Sequence, residues 1–156
     1  MLLLNGAASH AENSPIIAEI SAAQAGVKTN EIFLVSATLR NRSADTQFLS
    51  VWSCSYPQQW ISDNPAVHVA PASCKKDAIV RVRLPPGEAY KQSLSIYFAG
   101  AAKYFAGHSI TFRLGFKPVT AAGGKMSAAI WSNALTLDVI EDAIYESEFL
   151  DWPCAV

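Results

Sequence analysis

Residues 31–40 read E-I-F-L-V-S-A-T-L-R. Phe33, Val35, Ala37 and Leu39 alternate with Leu34, Ser36, Thr38 and Arg40. Period two in apolar, β-branched and aromatic residues marks a strand with one face on a core. The next residues, N-R-S-A-D-T at 41–46, read as a turn, because Asn, Ser and Asp side chains bond their own backbone. Alternation resumes at 47–53, with Phe48, Ser50 and Trp52 set against Leu49 and Val51. Two alternating runs across a short polar turn predict an antiparallel hairpin.

The same signal recurs along the chain. Ile16, Ile17 and Ile20 give a first edge strand, and 21–29 a loop or a weak extension. Val67, His68 and Val69 form a short strand inside an irregular stretch. Residues 78–84 place Arg81 and Arg83 outward, opposite Val80, Val82 and Leu84. Pro85-Pro86-Gly87-Glu88 is a turn, since Pro fixes φ and Gly accepts a positive one. Residues 90–98 follow with Leu94, Ile96 and Phe98 on one face. After the connection at 100–107, residues 109–116 carry Ile110, Phe112, Leu114 and Phe116 as one strand. A flexible loop at 120–129 leads to a last strand at 130–139. Seven or eight short strands, with turns about every ten residues, predict an all-β fold, an antiparallel β-sandwich over residues 12–139. Ile140 and Ile144, with Tyr145 and Phe149 beside them, switch to a helical period, so 140–156 is read as an acidic C-terminal helix or tail.

The chain has 156 residues, 51% of them hydrophobic and 16% charged, with a net charge of −1. Charge is low against the roughly 25% of an average soluble domain, which excludes disorder and leaves no field to recruit nucleic acid. From Asp138 onward there are six acids and no Lys or Arg. That stretch reads as a solvated acidic tail, or as one that docks on a basic face; Lys75, Lys76, Arg81 and Arg83 make a modest basic patch that reads as a solvated strand face, or as an anion site whose most economical partner is the tail. No apolar run reaches the 18 residues of a transmembrane segment. Residues 1–11, M-L-L-L-N-G-A-A-S-H-A, resemble the back half of a signal peptide without a basic start, and predict a periplasmic or secreted protein.

Export makes a disulfide between Cys54 and Cys74 the expected pairing. It would close a loop of about 20 residues, worth about 3 kcal/mol in the chain-entropy account. Cys154 is the odd thiol. The tied loop contains Tyr56, Trp60 and Ile61 beside Gln58, Gln59 and Asp63. Exposed aromatics there would suit a protein or carbohydrate partner; the opposite reading makes Trp60 a plug over the core.

Catalytic patterns are absent: no GxSxG, HExxH, CxxC or phosphate loop occurs, and Gly123-Gly124-Lys125 lacks the flanking residues of one. His10, His68 and His108 keep no ligand spacing, so no metal or cofactor is expected. Cys54 or Cys74 with His68 would serve as a nucleophile pair only if the thiols were free.

With these residues in view, the chain over 30–139 is similar to bacterial immunoglobulin-like and fibronectin-like secreted sandwiches. The likeness rests on the R-N-R-S-A-D-T and L-P-P-G-E turns. It also resembles the bacterial intracellular proteinase inhibitor type. The antibody pattern is not met, since Trp52 precedes Cys54 rather than lying between two distant cysteines. The resemblance implies an immunoglobulin-like sandwich and transfers no site residue. The reading is therefore a non-enzymatic exported binding or structural module. The alternatives are a proteinase inhibitor presenting a cross-linked loop, and a hydrolase whose site leaves no motif.

Overall fold

The computed structural model describes residues 14–29, 31–98, 107–120 and 126–140. The expected N-terminal leader, the Gly123-Gly124-Lys125 segment, the expected C-terminal helix or tail beyond Ile140, and Cys154 lie outside the described residues.

The described chain is all-β. Its strands are β1 (Ile16–Ala22), β2 (Gly26–Lys28), β3 (Phe33–Asn41), β4 (Gln47–Trp52), β5 (Trp60–Ser62), β6 (Val67–Val69), β7 (Ile79–Leu84), β8 (Ala89–Phe98), β9 (Ser109–Phe112), β10 (Leu114–Phe116), β11 (Ile130–Trp131) and β12 (Leu135–Ile140). One 3-10 turn, Tyr56–Gln59, precedes β5. The sheets run β1-β3-β8-β6, β11-β10-β5, β2-β12-β9 and the ribbon β4-β7. All pairs are antiparallel except β2 with β12.

The alternation in β3 has the consequence expected of it. Phe33, Val35, Ala37 and Leu39 are buried, while Leu34 is exposed. They pack with Leu94, Ile96 and Phe98 of β8 and with Ile110, Phe112, Leu114 and Phe116. Strands from all four sheets contribute to this one core. At the edge of the first sheet, the Asn133 side chain accepts from the Ile20 N–H at 2.8 Å and donates to the Ile20 carbonyl at 3.1 Å. It caps β1 as a strand would.

Three expectations need correction. First, β3 and β4 do not form a hairpin: β3 pairs with β1 and β8, and β4 pairs with β7. The cause is Asn41, which is wholly buried. Its Nδ2 donates to the carbonyls of Asp45 at 2.7 Å and Leu84 at 2.9 Å. Its N–H donates to the Glu88 carbonyl, and its carbonyl accepts from Gly87. Asn41 thus clamps the β3–β4 and β7–β8 connections together, and both cross between the ribbon and the four-stranded sheet. Gly87 takes φ 77°, the left-handed region the turn requires.

Second, residues 109–116 are two strands rather than one. The Arg113 N–H donates to Asp63 Oδ1 at 2.7 Å instead of to a neighbouring strand, and the chain changes partners there. Before it β9 pairs with β12, and after it β10 pairs with β5 and β11. The 130–139 run divides in the same way into β11 and β12. Third, Val80 is 45% exposed rather than inward-buried. The core-facing side of β7 dips under cover only at Leu84, so its N-terminal half overhangs the core.

One side chain does most to join the outer edge of β4 to the rest of the structure. Gln59, with no exposed surface, accepts from the Trp52 N–H at 2.9 Å. It donates to the carbonyls of Ser50 at 3.3 Å and Lys117 at 3.1 Å. Losing that amide strands the Trp52 N–H and the Lys117 carbonyl and leaves the Ser50 carbonyl only the Val119 N–H, each unsatisfied buried group costing about 1–3 kcal/mol. Gln59→Ala should therefore lower the unfolding free energy by about 3 kcal/mol in a urea titration, while the exposed neighbour Gln58→Ala should change it by less than about 0.5 kcal/mol.

Candidate binding face on the β4–β7 ribbon

Pairing in the ribbon sets two faces. Leu49, Val51 and Leu84 face the core and are buried. Phe48 opposite Arg83, Ser50 opposite Arg81, and Trp52 opposite Ile79 make up the outer face. Phe48 is 49% and Ile79 39% exposed. The Arg81 guanidinium carbon lies 4.0 Å from the centre of the Phe48 ring. Such a diagonal cation–aromatic contact holds the guanidinium plane while leaving its N–H edges open. Among the described residues neither Arg81 nor Arg83 has a carboxylate partner; the ion pairs there are Arg40–Glu19 and Arg113–Asp63.

The ladder also has a phase. Ser53 N–H donates to the Ala78 carbonyl, which makes that a hydrogen-bonded pair. Alternate pairs follow, so Val80, Val82 and Leu84 aim their backbone groups at β4. Ile79, Arg81 and Arg83 therefore aim theirs away from it. The outer edge of β4 is covered, since Ser50 and Trp52 bond Gln59 and the Val119 N–H reaches the Ser50 carbonyl. Among the described residues no strand lies beside the outer edge of β7.

One end of the ribbon is covalently anchored. Cys54 and Cys74 form a disulfide with Cα atoms 5.8 Å apart, as the spacing and predicted compartment suggested. Asp77 organises the ends it joins: it accepts from the N–H groups of Cys54 at 3.0 Å and Ser55 at 3.3 Å, and from the hydroxyls of Ser53 and Ser55. The Ser55 hydroxyl bond foremost, with the two backbone bonds, holds the Asp77 carboxyl below its ordinary value. Both sulfurs and the Asp77 carboxylate lie within 4.8 Å of one another, but the disulfide removes the thiolates a metal or a nucleophilic mechanism would need. Residues 71–81 are exposed without a break, including Lys75 and Lys76.

The aromatic loop residues are placed differently from a binding platform. Trp60 is 3% exposed, its Nε1 donating to Gln92 Oε1 at 2.8 Å and its ring 5.2 Å from that of Phe116. It is the core plug of the alternative reading. Tyr56 is half-buried and donates its hydroxyl to the Ser93 carbonyl at 3.1 Å. Ile61 is half-buried in β5 opposite Gly115. The three therefore do not converge on one exposed surface.

A second exposed cluster joins Asp63, Arg113 and Trp131. Asp63 pairs with the Arg113 guanidinium at 2.9 Å, and that guanidinium sits 5.5 Å from the Trp131 ring. Partial burial works to raise the Asp63 carboxyl, but the Arg113 N–H and guanidinium bonds outweigh it and hold it low. Its charges are internally paired, unlike those of Arg81 and Arg83. His68 stacks on Tyr97 with ring centres 5.5 Å apart and contacts the Pro65 carbonyl at 3.0 Å through Nε2.

No protein-family model and no curated protein matches the sequence. Among solved structures, the chain is similar to AvmM, described as catalysing macrocyclization in alchivemycin A biosynthesis. The TM-score is 0.42 and the identity 13%, over 83% of this chain and 91% of that one. A likeness at that level carries no argument about chemistry.

The anchor makes two predictions. Reduction of Cys54–Cys74 should lower the unfolding free energy by about 3 kcal/mol, read by denaturant titration with and without reductant. Because the folded Asp77 carboxyl lies below its ordinary value, its contribution is present above the unfolded pKa of about 4 and lost as the pH falls through that region. The melting temperatures of the native chain and of Asp77→Asn should therefore converge on going from about pH 6 to about pH 3.

Proposed function

We propose that the chain is an exported, non-enzymatic binding module with an immunoglobulin-like β-sandwich architecture, and that it holds an anionic protein segment against the outer face of the β4–β7 ribbon. The sandwich reading is supported by the two crossings clamped at Asn41, which pass the chain between the four-stranded sheet and the ribbon in Greek-key manner. Export is supported by the disulfide. Among the described residues no helix is long and apolar enough to cross a membrane.

The observation that carries the binding reading is the Arg81 guanidinium held over Phe48 on a face shared with Arg83, Trp52 and Ile79. Clustered exposed apolar groups mark interaction surfaces, and arginine is the side chain suited to carboxylates at an interface. A partner with alternating acidic and aromatic residues fits both components, whereas a neutral glycan would leave the guanidinium groups unanswered.

A second reading is favoured by the unbroken exposure of residues 71–81, tied at Cys74 and presenting Lys75 and Lys76. An extended, cross-linked loop with a basic tip is the form in which an inhibitor meets a trypsin-like proteinase. If that reading holds, Lys75→Ala with Lys76→Ala abolishes the slowing of such a proteinase and leaves the ribbon's binding intact.

For the leading reading, calorimetry with a synthetic peptide of alternating Glu and Tyr should show saturable binding. Arg81→Glu with Arg83→Glu should weaken it by about tenfold or more, and Phe48→Ala by several-fold, with melting temperatures little changed because all three side chains are exposed. Equal affinity in native and variant proteins, or equal uptake of a Lys-Tyr peptide, overturns it.

A further inference from the structure

We infer that the open edge of β7 takes up an extended acidic segment of a partner protein as an added antiparallel strand, with acids at i and i+2 of that segment facing Arg83 and Arg81. This rests on the reading of the ribbon as the binding face, and adds that the partner is held by its main chain as well as by its charges.

The edge itself is the first observation. Among the described residues β2, β5, β6 and β11 are edge strands of two or three residues, β9 has four, and β1 is bonded at Ile20 by Asn133. The outer edge of β4 is covered by Gln59 and the Val119 N–H. That leaves β7, with six residues and no proline among them. Its Ile79, Arg81 and Arg83 direct their N–H and carbonyl groups away from β4. A bare edge of this length is a template for strand addition.

The second observation is a coincidence of phase. In an antiparallel ladder, opposed residues that exchange hydrogen bonds sit about 5.5 Å apart at Cα, with side chains on the same face. On β7 the residues free to exchange such bonds with a newcomer are the same ones that carry their side chains on the outer face. Two of the three are arginines with no carboxylate partner among the described residues. A strand pairing here therefore sets its own alternate residues directly against Arg83 and then Arg81. Its residues i+1 and i+3 turn to the other face, over half-buried Val82 and over Val80, which is 45% exposed. Residue i+4 comes opposite Ile79. The recognised order is acid, apolar, acid, apolar, apolar.

The third observation is the sign of the charge, which selects the occupant. Two copies joined antiparallel through β7 would set Arg81 against the partner's Arg81 or Arg83, and like charges directly opposed are destabilising. The incoming strand must bring the anions. A polyanion without a peptide backbone, such as a sulfated glycan, would meet the guanidinium groups and leave the edge N–H and carbonyl groups unpaired.

Calorimetry and hydrogen exchange on the full-length, oxidised protein test this with the synthetic peptide acetyl-Gly-Glu-Tyr-Glu-Tyr-Val-Gly-amide. At saturation the amides of Ile79, Arg81 and Arg83 should exchange at least about tenfold more slowly, while those of Val80 and Val82, already directed at β4, should not change. N-methylation of both Glu residues removes N–H groups that face β7 and keeps the charges; it should weaken binding by about tenfold or more. N-methylation of the two Tyr residues, whose N–H groups face away, should weaken it by less than about threefold. Arg81→Glu with Arg83→Glu should prefer the same peptide with Lys in place of Glu. Equal affinity of the two methylated peptides, or binding with no protection of the three amides, overturns strand addition and leaves the outer face as a side-chain docking surface. No binding of the unmethylated peptide overturns both readings. Protection without peptide that grows with protein concentration puts a second copy on the edge and overturns the acidic partner.

Discussion

A single buried amide carries the junction on which the architecture depends. Gln59 stands at the end of the 3-10 turn with one side toward β4 and the other toward Lys117, just past β10. A two-stranded ribbon is marginal by itself. Here the outer edge of β4 is completed by a side chain in place of a neighbouring strand, and Asn41 braces the opposite end through the Leu84 carbonyl. Asn133 plays the same part for β1. Three carboxamides thus close edges that backbone ladders leave open, and no buried side-chain polar atom among the described residues is left without a partner.

This explains which parts of the fold were legible in the sequence. Alternation alone located β3, β4 and β8, because each sets a buried face against an exposed one, and it located β7 although only Leu84 at its end is buried. It located the Pro85–Gly87 turn, whose conformation is demanded by residue type. It could not give partners. The polar run after β3 is compatible with a hairpin or with a crossing, and the choice was made by Asn41, whose contacts come from Leu84 and Glu88, more than forty positions away. The split at Arg113 was invisible for the same reason, since its cause is Asp63, fifty residues earlier. The short β2 had no periodicity to show, being three residues held by parallel pairing with β12.

The candidate site shows the same division. The disulfide followed from count and compartment. Trp60 could be read either way, and only the Gln92 acceptor beside its indole decided for the interior. The outward pair Arg81 and Arg83 was visible as a basic patch, but its significance was not. That came from Phe48, in a strand the sequence had assigned to a different partner. A surface made by two strands is legible only once their pairing is known, because opposite residues share a face.

The parallel pairing of β2 with β12 joins the ends of the described chain, and Asn133 ties to Ile20 across 113 positions. Sheets closed so late in the sequence cannot be completed while synthesis is under way. Until residue 140 has emerged, β1 and β2 wait with unfinished neighbours, and folding is slowed by the loop that must close. A nascent chain of this design keeps its sheets open for most of its production, and the tie between Cys54 and Cys74 fixes a crossing that the later strands then enclose.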